Sequence, residues 1–377
     1  MHLLLIITDY GSFNNFLSEL AVELLKRGNK VDLICSEEKV IKFDDRVNYK
    51  NLGIITHFVS FPRTYNILKQ LKASRTIHDL VNKINPDIIH AHFTTGIFTT
   101  IILKKPKQTL IGTFHGLGYP MMKGIKRKIF QYVEALCISR LDKVLVLNNY
   151  DYDILNKKYH NISILDSAGL GCDLSRFNRD RYRDRIESIK SELGIKKNDF
   201  VIAFTGRFVK FKGFDLVVKA FLELNTISPS SYKLILIGGR DCIHDTGLNS
   251  YESQIYEDCD DIIKVGFTSE VEKYLSVSNM FLFPSLKEGM PVCIIEALAM
   301  GLPVITADSR GCNDLVESKR NGILLSKIPT VSEIVNVISR LREFPEELHM
   351  YRDYALENRD KLSRKIYIEK QIEFYCK

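Results

Sequence analysis

The chain has 377 residues, 45% hydrophobic and 26% charged, ordinary for a soluble globular protein with enough chain for two domains and a core in each. Its net charge of +7 is lopsided: residues 1–170 carry 23 Lys and Arg against 15 Asp and Glu, the remainder 30 against 31. No apolar run approaches the roughly 18–20 residues of a membrane span, and neither a zinc-finger spacing nor a pattern of stacking aromatics supports nucleic acid as the partner of the basic half. The opening "MHLLLIITDYG" lacks a basic start and a cleavage site and is broken at Asp9, so it reads as a buried strand and not as a signal peptide. The eight cysteines are scattered, with no C-x-x-C pair, and read as reduced cytosolic thiols.

Short apolar runs then alternate with segments of helical period. Strands are expected at Leu3–Ile7, Val31–Cys35, Ile54–Val59, Ile88–His90, Thr109–Thr113 and Val144–Leu147. Between the first two, Phe13, Phe16, Leu17, Leu20 and Leu24 fall on one helical face that Gly28 closes. Strand, helix, strand implies a right-handed crossover and a parallel sheet. A glycine- and charge-rich linker follows at about 166–185. The second half repeats the theme with strands in "FVIAFTGR", "YKLILIGG", "DIIKVGF", "MFLFPS" and "PVITAD", then a charged helical tail. Wholly apolar strands indicate burial on both faces, as in a doubly wound α/β sheet.

Open parallel sheets bind ligands beyond the carboxyl ends of their strands. In the second half those ends carry Gly206 and Arg207, Gly238 and Gly239, Gly266 and Phe267, and the loop Ser285–Pro291. In "GRFVKFKG" an Arg and a Lys on one loop, Arg207 and Lys212, can hold a diphosphate, or be solvated surface charge. In "PSLKEGMPVCIIEALAMGLPV" a helix is expected to begin at Pro291, so the backbone of Gly289, Met290, Pro291 and Val292 is a candidate phosphate cradle. Glu288 stands at its mouth and Glu296 inside the helix, with seven residues between them. Carboxylates beside an anion site can accept from hydroxyls on either side of it, as a nucleotide-sugar would require; helix stabilisation or plain surface charge is the alternative.

These motifs carry a resemblance. "SLKEGMPVCIIEALAMGLPVI" resembles the E-x(7)-E segment of retaining glycosyltransferases of the GT-B fold. "GRFVKFKG" is similar to their donor-phosphate motif, "GLGCDLSRF" (Gly169–Phe177) to their hinge, and "NGILL" (Asn321–Leu325) to a following glycine turn. Together they resemble glycosyltransferase family 4, in the branch that builds bacterial surface polysaccharides. The resemblance implies an α/β GT-B fold of two Rossmann-like domains facing across a cleft. The expected acceptor domain is 1–168 and the donor domain 169–350. The segment 351–377 is expected to be helical and to cross back onto the first domain. It further implies that Glu288 contacts the transferred sugar and Glu296 the ribose, while Arg207 and Lys212 neutralise the leaving diphosphate beside Gly206, Gly266 and the helix start. Cationic side chains then stand in for a metal, so neither metal nor cofactor is expected. The co-substrate would be a nucleotide-sugar, with uridine favoured over guanosine. A nucleotide-sugar 2-epimerase and a non-catalytic nucleotide-sugar-binding protein are the alternatives.

The first half is less typed. His115 in "TLIGTFHGLGYP" directly follows a strand, and the resemblance places a sugar-contacting histidine there. The adjacent "GLGYPM" lacks the third glycine of a dinucleotide loop. In "TDYGSFNN" the family often has two adjacent glycines where this chain has only Gly11; Asp9, Ser12 and Asn14 are candidate acceptor contacts. His90 and His92 end a strand and are either structural or line the acceptor. Lys123, Lys126, Arg127 and Lys128 beside Ile129, Phe130 and Val133, with Lys69, Lys72 and Arg75 in "FPRTYNILKQLKASR", suggest docking to an anionic membrane. The expected place is thus the cytoplasmic face of the plasma membrane, with a lipid-linked glycan as acceptor.

Overall fold

The computed structural model describes residues 1–37, 49–62, 66–229, 231–241 and 243–377. They divide into two compact units, 1–166 with 367–377, and 167–366.

In the first unit the strands are β1 (His2–Asp9), β2 (Lys30–Ser36), β3 (Ile55–Phe58), β4 (Ile88–His92), β5 (Thr109–Phe114), β6 (Lys143–Val146) and β7 (Ile162–Ile164). Among the described residues they form one parallel sheet in the order β3-β2-β1-β4-β5-β6-β7. Strand order reverses between β1 and β4, so their carboxyl ends open the crevice where ligands bind such sheets. The helix expected after β1 is present in two pieces, Tyr10–Phe16 and Ser18–Lys26. They meet at Leu17, where the backbone leaves helical geometry (φ −126°, ψ −13°) while the Ser18 hydroxyl bonds the Asn14 carbonyl at 2.7 Å. Gly28, at φ +76°, ends the second piece.

In the second unit β8 (Phe200–Phe208), β9 (Tyr232–Arg240), β10 (Ile262–Gly266), β11 (Met280–Phe283), β12 (Val304–Ala307) and β13 (Gly322–Leu325) form a parallel sheet. Its order is β10-β9-β8-β11-β12-β13, with the reversal between β8 and β11. Its core includes Phe204, Phe281, Phe283, Ile294 and Ile295, all buried.

The two strands that the periodicity does not single out, β7 and β13, are the last of their sheets and have three and four residues. The tail differs in extent from the expected 351–377. The Pro345–Glu357 helix packs on the Val292–Ala299 and Val331–Glu343 helices of the second unit, and only 367–377 joins the first. There Tyr375 is buried against β4. The chain leaves the first unit at 166 and returns at 367; inside the second unit these passages lie side by side, Cys172 N–H on Leu362 O and Arg364 N–H on Cys172 O, both 2.9 Å.

Candidate active site

In the second unit the reversal point brings two loops together. The first follows β8, makes one 3-10 turn over Lys210–Lys212, and enters the Phe214–Ile227 helix through Gly213. The second follows β11 and enters the Val292–Ala299 helix. Leu286 N–H and the Ser285 hydroxyl both reach the Phe211 carbonyl, at 2.9 and 3.2 Å. Gly213 is required at this junction: its φ is +75°, and a Cβ would lie 2.5 Å from Pro284 O.

Lys212 and Glu288, expected on phosphate and sugar respectively, are here paired at 2.6 Å, and Ser285 Oγ donates to the same carboxylate oxygen at 2.6 Å. Glu288 is only 8% exposed, so the ammonium is what makes its charge tolerable. A lysine ammonium has three N–H donors, which leaves Lys212 able to meet a second anion. From β12 the chain braces the same loop: Arg310 Nε bonds Glu288 O at 2.9 Å and Ser309 Oγ bonds Ser285 O at 2.7 Å. Gly311 (φ +77°) lies so close to Gly289 that a Cβ would be 2.3 Å from its carbonyl.

Pro291 stands one residue earlier than expected relative to the helix. It is the cap, with φ −77° and ψ 110°, and Val292 is the first helical residue. The ring fixes the cap's φ, while the cap's extended ψ keeps Pro291 outside the helix. The Val292 and Cys293 N–H groups of the first turn have no acceptor among the described residues, and the helix dipole adds to their positive potential.

The carboxyl of Glu296, in the second turn, has no hydrogen-bond partner among the described residues. Burial pushes its carboxyl up to about 7, with Arg176 and Arg364 pulling the other way. Arg176 is itself held by Glu272 at 2.8 Å. Arg207 is half exposed, lies over the Phe211 ring and pairs with Asp241, whose carboxylate the Ile243 N–H and His244 hold at about 2. Gly206 lies near the end of β8 next to Arg207, and Gly266 closes β10 with open space where a Cβ would stand, followed by an exposed Phe267.

In the first unit, Asp9 is the cap of the Tyr10–Phe16 helix; Ser12 N–H and Oγ both bond its Oδ1 at 2.9 Å. Gly11 is buried in that helix, and Asn14 takes the Tyr49 hydroxyl. Thus Asp9, Ser12 and Asn14 are engaged with the protein itself. The three histidines are contiguous. His90 is structural, with Nδ1 on the Tyr375 hydroxyl at 2.6 Å and Nε2 on Thr113 Oγ1 at 2.7 Å. His92 Nδ1 meets His115 Nε2 at 3.1 Å. Burial holds His90 and His115 at about 3 and His92 well below its usual range, so all three are neutral. The backbone after His115 is pinned by two buried carboxylates. Asp151 takes the Leu117 N–H at 3.0 Å, and Glu134 takes Gly118 N–H and Thr94 Oγ1, both at 2.8 Å.

Glu134, Asp151 and Tyr375 do not stand out in the sequence; Ser285 opens the loop expected after β11, and Asp241, not singled out, gives a signal as the first residue after β9. Two Asp-x-Asp triplets occur, Asp151–Asp153 and Asp258–Asp260, and the first contains the buried Asp151 just described.

Residues 14–164 match the model of Glycosyltransferase Family 4, and residues 185–358 that of Glycosyl transferases group 1. The chain belongs to glycosyltransferase family 4. Among its relatives is the Escherichia coli UDP-Gal:alpha-D-GlcNAc-diphosphoundecaprenol alpha-1,3-galactosyltransferase, 26% identical over 328 residues that cover 83% of this chain and 80% of the relative. The fold is GT-B. Sucrose-phosphate synthase from Thermosynechococcus elongatus superimposes with a TM-score of 0.81 at 19% identity, covering 100% of this chain and 98% of that one. Anabaena HepE in complex with UDP and glucose does so with 0.78 at 16%, with the same coverage. This family 4 glycosyltransferase therefore presents, at the reversal point of its second sheet, a buried Glu–Lys pair beside an open helix start.

Proposed function

We propose that the protein transfers a sugar, with retention of anomeric configuration, from a UDP-sugar to a lipid-linked saccharide in the assembly of a bacterial surface polysaccharide. The observation that carries this reading is the Lys212–Glu288 pair beside the unpartnered N–H groups of Val292 and Cys293. Cation and helix start receive the diphosphate, and the carboxylate orients the sugar next to it. The Glu296 carboxyl, pushed up to about 7 by burial, can donate to a ribose hydroxyl when protonated and accept from one when ionised. Arg207, on the outer side, adds a bidentate clamp for phosphate. In the transfer, the acceptor oxygen bonds the anomeric carbon as its bond to the diphosphate breaks, and a diphosphate oxygen on the same face takes the acceptor proton. Stabilising charge on the leaving group is the main catalytic device, which cationic side chains supply in place of a metal ion. The uridine donor and lipid-diphosphate acceptor are argued from the Escherichia coli relative, whose name states both, and from the UDP held by HepE.

A membrane-facing surface fits this acceptor. Lys123 and the Gly124–Arg140 helix expose Lys123, Lys126, Arg127 and Lys128 together with Ile125, Ile129 and Tyr132, and the helix's one acidic residue, Glu134, is buried. Phe130 and Val133, expected on this face, turn instead toward the core. The Ile67–Ile84 helix packs on the same Phe93–Ile101 neighbour and exposes Ile67, Leu68, Lys69, Lys72 and Arg75; the expected stretch also includes 63–65, outside the described residues. Basic side chains with apolar ones between them suit an anionic leaflet, at about 1 kcal/mol per Lys or Arg. No helix among the described residues is long and apolar enough to cross a membrane.

The test is release of UDP or GDP from a panel of nucleotide-sugars, in EDTA, with and without lipid-diphosphate saccharides. One UDP-sugar should turn over, faster with its acceptor, and Glu288→Gln should lower turnover by about 10²–10³-fold while donor binding persists. Acceptor-independent conversion of the sugar would replace this reading with an epimerase.

A further inference from the structure

We propose that His92 is a positioning residue that sets the tautomer of His115, so that His115 offers its ligand an Nδ1–H donor. This rests on the glycosyltransferase reading only in placing the transferred sugar at His115, where the family resemblance expects it. A neutral imidazole carries one proton on one of two nitrogens, and which one is decided by its surroundings. His92 is 0% exposed, with Nδ1 on His115 Nε2 and an Nε2 that has no partner among the described residues. If the His92 proton sat on Nε2, a buried N–H would be left without an acceptor, at the full cost of its desolvation. With the proton on Nδ1, His92 donates to His115 Nε2 and strands only a lone pair. His115 Nε2 is then an acceptor, and its own proton lies on Nδ1, the nitrogen to which no protein group is bonded among the described residues.

A second, independent feature shows the ring being held in place. Phe93, the residue after His92, has φ +62°, a left-handed conformation that is costly for a bulky side chain. It places its ring 4.3 Å from that of His115, with Phe16 at 5.4 Å. The chain thus bears strain at the residue next to His92 while clamping the His115 ring. His115 held in this way is a fixed hydrogen-bond donor for a hydroxyl or carbonyl oxygen, and not a base.

The protein has nine histidines. Long-range 1H–15N spectra of the full chain with labelled histidine read their tautomers, His115→Asn assigning the His115 signals. His115 should carry its proton on Nδ1 in the wild type. It should do so also in His92→Asn, whose amide reaches the Nδ1 position and can donate. In His92→Phe it should become a mixture, with donor turnover down about tenfold in that variant and within about threefold of wild type in His92→Asn. A wild-type His115 protonated on Nε2, or a tautomer unchanged in His92→Phe, overturns the proposal. If His92→Phe does not fold, the other two spectra decide. Should His115→Asn leave turnover intact while the tautomers are as stated, the functional reading of His115 fails and the positioning role of His92 stands.

Discussion

The two units place functional groups at the same topological point, the carboxyl edge where a parallel sheet reverses its strand order, with opposite chemistry. The first packs neutral rings there: His90, His92 and His115, with Phe16 and Phe93 against the last. The second packs charges: Lys212 on Glu288, Arg207 on Asp241, and Glu296 near Arg176 and Arg364. His90, His92 and Glu288 are all buried, so the difference lies in what compensates the burial. A histidine escapes the desolvation penalty by staying neutral. The Lys212–Glu288 pair instead offsets its desolvation by mutual attraction at 2.6 Å.

This contrast can be broken most severely at the ion pair. Lys212→Met leaves a carboxylate that is 8% exposed without its cation, and should cost about 3–5 kcal/mol in urea unfolding. The double variant Lys212→Met/Glu288→Gln should recover most of that. A single variant no worse than a surface lysine change would mean that the pair does not hold this loop. On the neutral side the corresponding change is milder. Tyr375→Phe removes the hydroxyl 2.6 Å from His90 Nδ1, and should cost about 1–3 kcal/mol by thermal or urea unfolding; no change would show that the C-terminal helix does not need this contact.

The smallest and most discriminating effect is in pH. His90 and His115 titrate near 3 when folded against an ordinary 6.5, so between these values the unfolded chain binds protons that the folded one refuses. Their effect is to lower stability as pH falls from 6.5 toward 3. Glu296 acts in the other direction. Held at about 7 against 4.5, it keeps a proton in the folded state that the unfolded chain has released, so its contribution falls as pH rises through that window. Glu296→Gln should therefore steepen the loss of stability on acidification between pH 7 and 4.5. A slope identical to wild type would show that Glu296 titrates normally.

Much of the fold was legible because wholly apolar runs such as "LLLII" and "MFLF" admit little but buried parallel strands once helical segments separate them. β7 escaped because three residues carry too short a period to be read, and β13 because its "NGILL" was read as a glycine turn. The break at Leu17 escaped because the apolar spacing runs through it undisturbed. The site was legible where its chemistry lies within one loop and the helix after it: Arg207 with Lys212, Glu288 with Glu296. Its partners were not. Asp241 reaches Arg207 from 34 residues away and Tyr375 reaches His90 from 285.

The sequence by itself determined the alternation of strands and helices, and with it the two parallel sheets and the edge at which each can bind a ligand. These follow from local period and from the handedness of the crossover connection. Only the tertiary structure decided the state of each side chain at those edges. Whether Lys212 is free or paired, whether Glu296 is ionised at neutral pH, and which nitrogen of His115 faces outward all depend on burial and on partners far along the chain. Desolvation and Coulomb interactions act through space, over a few ångströms that sequence separation does not encode.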